Sequence, residues 1–99
     1  MTSQMHRKIL EGRASLQMIR IVEEKEDGLH FLMVLRMLQE KASRQGLRLS
    51  VILNTGKGVA YLIDNEEQEK AFETEFVRIV DDCIIQKRIL IVRVHFVAK

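Results

Sequence analysis

Hydrophobic and polar positions along the chain change period twice, and the changes mark out its elements. Leu29 to Gln45 is rich in Leu and Met and poor in β-branched residues, which predicts a helix closed by Gly46 and capped by Asp27. Its first half is apolar nearly all round, through Leu29, Phe31, Leu32, Met33, Val34, Leu35, Met37 and Leu38, so it calls for neighbours on two sides. After Gly46 the period becomes two. Leu47, Leu49, Val51 and Leu53 point one way and Arg48, Ser50, Ile52 and Asn54 the other, the signature of a strand. The turn Asn54-Thr55-Gly56-Lys57-Gly58 leads back into Val59–Ile63, completing a hairpin. Asp64 or Asn65 then caps a helix with acidic Glu66, Glu67 and Glu69 in its first turn. Its stripe of Phe72, Phe76, Ile79, Val80 and Cys83 runs to about Lys87. From Ile89 the chain is strand-forming, with Leu90, Val92, Val94 and Phe96 on a wholly apolar face and Ile89, Ile91, Arg93, His95 and Val97 on a mixed one.

Leu16 to Val22 admits two readings. As a strand it alternates, with Leu16, Met18 and Val22 on the side of Arg20 and Ile19 and Ile21 on the other; as a helix it ends a segment that starts near Gln4 and carries Met5, Ile9, Leu16 and Ile19. The β-branched residues Ile19, Ile21 and Val22 favour the strand. The chain then reads βαββαβ, an α+β two-layer sandwich of ferredoxin-like type in which two helices cover one face of a four-stranded antiparallel sheet. The helical alternative is an N-terminal helix beside a three-stranded sheet. Residues 1–13 form a basic arm (His6, Arg7, Lys8 and Arg13 against Glu11), and 14–99 a single domain.

Composition narrows the function classes. At 99 residues, 46% hydrophobic and 30% charged, the chain is one ordinary globular domain with a small core, which makes a homodimer an early expectation. A net charge of +2 neither demands nor excludes an anionic partner. One cysteine rules out an intramolecular disulfide. The absence of an apolar leader or of a run near the ~20 residues that span a bilayer leads to the expectation of a cytoplasmic protein without membrane contact.

The pleat gives the sheet a bare face. With Leu90, Val92, Val94 and Phe96 beneath the helices, Ile89, Ile91, Arg93, His95 and Val97 emerge opposite, beside Arg48, Ser50, Ile52 and Asn54. If Ile19 and Ile21 are core, Leu16, Met18, Arg20 and Val22 join them. Leu16, Met18, Ile89, Ile91 and Val97 then suit an oligomer interface. Arg20, Arg48, Arg93 and His95, with Lys57 from the hairpin loop, suit an anionic ligand, either nucleic acid or a phosphorylated small molecule. Only Tyr61 is available to stack on a base, and the loop lacks the P-loop pattern because Lys57 is followed by Gly58 and a strand.

Catalysis finds little to use. His6, His30 and His95 are scattered, Cys83 lies on a buried stripe, and adjacent Asp81 and Asp82 diverge on their helix. No catalytic residue, metal site or cofactor is assigned. The expectation is a non-catalytic, homo-oligomeric binding or regulatory module that recognises an anionic ligand on the bare sheet. An assembly or adaptor module using that face for protein contact is the alternative, and a small enzyme using His95 the third reading.

Overall fold

A computed structural model describes residues 17–55 and 60–99. Leu16, Lys57, His6 and the basic arm 1–13 fall outside those residues, so the expectations placed on them do too. The chain order is β1 (Gln17–Val22), α1 (Lys25–Arg44), β2 (Leu47–Leu53), β3 (Ala60–Ile63), α2 (Glu66–Ile85) and β4 (Leu90–Ala98). The expected α+β order is thus present, and β1 is a strand rather than the end of a helix. Among the described residues the sheet has four antiparallel strands in the order β1-β4-β2-β3.

That order puts β4 and β2 in the middle, whereas a ferredoxin-like sandwich centres its first and third strands. The crossover from β1 to β2 leaves a gap one strand wide, and β4 fills it instead of β3. Length and burial explain the choice. A central strand must satisfy both of its edges and bury one whole face, and β4, with nine residues and Leu90, Val92, Val94 and Phe96 all buried, meets both demands. Four-residue β3 buries only Ile63 and suits an edge.

Both helices begin at definite caps. α1 starts at Lys25, earlier than the expected Leu29, and Asp27 acts from inside its first turn rather than ahead of it: Oδ2 accepts the backbone N–H groups of Glu23 and Glu24, each at 3.1 Å. Gly28 therefore lies inside the helix. It is buried where α1 meets α2, and a Cβ there would lie 3.2 Å from Val80 Cγ2. In α2, Asn65 Oδ1 accepts Gln68 N–H at 2.9 Å while Gln68 Oε1 accepts the backbone N–H of Asp64 at 2.6 Å.

The ends differ in a telling way. Gly46 takes the left-handed conformation after α1 (φ 70°), as glycine does freely, but Lys87 takes it after α2 (φ 56°). Around Lys87 two crossed bonds close the helix: Arg88 N–H donates to Cys83 O at 2.8 Å, and Lys87 N–H to Ile84 O at 3.1 Å. A side chain in this conformation is strained, so Lys87→Gly is expected to raise stability by roughly 0.5–1 kcal/mol, read as a higher urea midpoint.

The core lies between the sheet and the helix pair. Phe31 and Phe76 sit 5.2 Å apart between ring centroids, Phe72 stacks on Phe76 at 5.3 Å, and Tyr61 meets Phe72 edge-on at 5.1 Å. The apolar surplus of α1 is only partly absorbed by the sheet and α2, since Leu29, Met33 and Met37 stay exposed. One buried acid breaks the pattern. Glu69 of α2 has its Oε1 3.9 Å from Arg36 Nε of α1, too long for a hydrogen bond. Burial raises its pKa, the Glu73 carboxylate adds to the rise, Arg36 opposes it, and Glu66 and Glu40 contribute further.

The native state thus holds a proton at pH values where the unfolded chain has released it. Stability from this group is greatest in mild acid and declines as pH rises from the ordinary glutamate range through the raised native value. Glu69→Gln is expected to gain stability relative to the parent chain across that window. Denaturation curves at about pH 4.5 and about pH 8 check this, and an equal difference at both would contradict it.

Candidate functional site

Register decides which side chains share the bare face, because directly paired residues of neighbouring strands point the same way. One row runs Ile19, Arg93, Ile52, Ala60 across all four strands. The next runs His95, Ser50, Leu62; Ile21 pairs with Ile91 on one flank and Arg48 with Val97 on the other. Ile19 and Ile21 are 54% and 55% exposed, Leu62 and Ile89 are similarly open, and Ile52, Ile91 and Val97 are half-buried.

Strand β1 therefore has the opposite phase from that expected. Val22 is buried, Met18 packs against the core, and Arg20 lies with them on the helix side, while Ile19 and Ile21 face outward. The physical reason is the edge position. An arginine beside the helix layer runs its aliphatic stem along apolar surface and brings its head out at the margin, where the guanidinium donates to Nδ1 of His30 on α1. A sequence rule that keeps arginine off the covered face misses this freedom of edge strands. Met18 and Arg20 thereby leave the predicted surface, and Ile19, Ile21 and Leu62 enter it.

The remaining predicted residues separate as well. Arg48 is on the bare face but its Nε lies 3.3 Å from Asp64 Oδ1, just beyond β3, and both side chains are half-buried. The N–H is not aimed at the oxygen, so the contact is a Coulombic pair rather than an aligned hydrogen bond. Arg93 is exposed and His95 half-buried at the middle of the face; Ile89, Ile91 and Val97 border them. The three-arginine platform of Arg20, Arg48 and Arg93 is not assembled: one guanidinium lies on the other side and a second is paired. Asn54 is spent on structure, its Oδ1 accepting Ile91 N–H at 2.8 Å and its Nδ2 donating to Ile89 O at 3.1 Å.

Tyr61 belongs to the helix side, edge-on to Phe72, so it cannot stack on anything bound to the bare face. Burial pushes its hydroxyl pKa up, and the Glu75 carboxylate adds to the rise. Cys83 is a buried free thiol on α2. Among the described residues there is no group of three or more His, Cys, Asp or Glu side chains able to hold a metal ion, and no helix long and apolar enough to cross a membrane. Among the described residues, what the face offers chemically is an aliphatic surface with the exposed Arg93 guanidinium at its centre, and no carboxylate in the rows that hold Arg93 and His95.

The phase of β1 is directly measurable. Ile21→Thr, which keeps β-branching at an outward position, is expected to change stability by no more than about 0.5 kcal/mol, while Val22→Ala costs about 2 kcal/mol. Chemical denaturation of both variants checks this, and the reverse ranking would restore the original phase.

No family model, no curated protein and no solved structure matches this chain.

Proposed function

We propose that this domain is a non-catalytic docking module whose bare sheet face is covered by protein. The observation that carries the reading is the bare face itself: Ile19, Ile21 and Leu62 stand open to water on one side of the sheet, contiguous with Ile52 and Ile91. Four-stranded sheets usually bury a face this apolar, and an uncovered one marks an interaction surface. A second copy of the chain and a different protein are both occupants of this kind.

The anionic-ligand reading has weaker support. It retains Arg93 and His95, but Arg48 is paired with Asp64, Arg20 lies on the other side of the sheet, and among the described residues no Phe or Tyr ring joins the face.

A photo-crosslinking amino acid placed at Ile21 in the full chain tests the docking reading in cells. Position 21 is expected to yield a discrete protein adduct, and Lys70, exposed on α2, is expected to yield none. No adduct at position 21, or equal labelling at both positions, would sink the proposal.

A further inference from the structure

We infer that the occupant of the bare face is an acidic, aliphatic segment of another protein, which sets a carboxylate on Arg93; this rests on the docking reading above. Arg93 lies on a central strand with Ile19 beside it on β1 and Ile52 beside it on β2, and Ile91 and His95 are its same-face neighbours along β4. A guanidinium flanked by Ile19, Ile52 and Ile91 resembles the centre of an energetically dominant contact, in which apolar neighbours exclude water from a charged bond. Any protein that covers the isoleucines also dehydrates Arg93. That charge must then find an acid, because a buried and unpaired one is strongly unfavourable.

Among the described residues, no acid stands next to Arg93 on this face. The rows that hold Arg93 and His95 contain no carboxylate among the described residues; Glu23 stands beyond Ile21 beside Ile89, and Asp64 at the other margin is already paired with Arg48. A second copy stacked centre to centre would therefore set each Arg93 against central rows that, among the described residues, hold no acid, and leave two guanidiniums without partners. A nucleic-acid backbone would satisfy Arg93 but set charge against Ile19, Ile21 and Leu62. A segment that combines aliphatic side chains with a central Asp or Glu satisfies both parts of the face, and the carboxylate can take two parallel N–H bonds from the guanidinium.

Synthetic amphipathic helices with one leucine face, carrying Glu, Gln or Lys at its centre, are suitable probes of the full-length chain by fluorescence anisotropy. The Glu peptide is expected to bind at least roughly tenfold more tightly than the Gln peptide. Arg93→Leu is expected to abolish that difference, and Arg93→Glu to shift the preference to the Lys peptide, with circular dichroism confirming that each variant is folded. Equal affinity for the peptides, no binding to any of them, or a preference that Arg93→Glu leaves unchanged would overturn the inference. So would a dimer in sedimentation that Ile21→Asp dissolves, although that outcome leaves the docking reading standing. Failure of the docking reading is separately visible as the missing adduct at position 21.

Discussion

A pleated strand has two faces, and this chain has one layer of helices with which to cover them. β4 makes the constraint acute because neighbours occupy both of its edges, so its side chains can only point up into the helices or down into the open. Leu90, Val92, Val94 and Phe96 take the covered side and close the core against Phe31 and Phe76. Ile91, Arg93, His95 and Val97 are thereby committed to the other. The bare face follows from an alternation that a central strand cannot escape, and it is as much a product of the core as the core itself.

Much of this was legible in the residues. The period-two runs placed β2 and β4 and the correct inward side of each, because Leu49, Val51 and Leu53, like Leu90 to Phe96, are purely apolar on one parity and mixed on the other. Asn65 and the acidic turn after it marked the start of α2. Strand order was not legible. Element order is compatible with either β3 or β4 between β1 and β2, and the outcome depends on which strand can satisfy two edges at once. The phase of β1 was misread for a related reason. Met18, Arg20 and Val22 share one parity and Ile19 and Ile21 the other, so hydrophobicity alone favours the isoleucines as core, and only the edge position and the reach to His30 reverse it.

Helix punctuation shows the same dependence on context. Gly28 lies just ahead of the helix expected from Leu29 and proves to be a point of close approach between α1 and α2, where Val80 needs the room. Lys87 carries no such signal, yet it adopts the backbone form that glycine takes at position 46. Its cap bonds to Cys83 and Ile84 hold it there. Glu69 is another local cost within a packed interface: its carboxylate helps the positive end of α2 but lies in a buried seam, beside several other acids and one arginine.

Filling the gap with β4 has a further consequence, in time rather than in space. β1 and β2 are translated early, but in the folded sheet neither hydrogen-bonds to the other, because the strand that joins them comes after all five other described elements. Until residues 90–98 leave the ribosome, β1 has no sheet to enter and α1 no complete floor to rest on. Such pairing over long stretches of chain closes large loops late and makes folding slow relative to a helical bundle of the same size. Until β4 emerges, the apolar residues of β1 and β2 have no strand between them to complete the sheet.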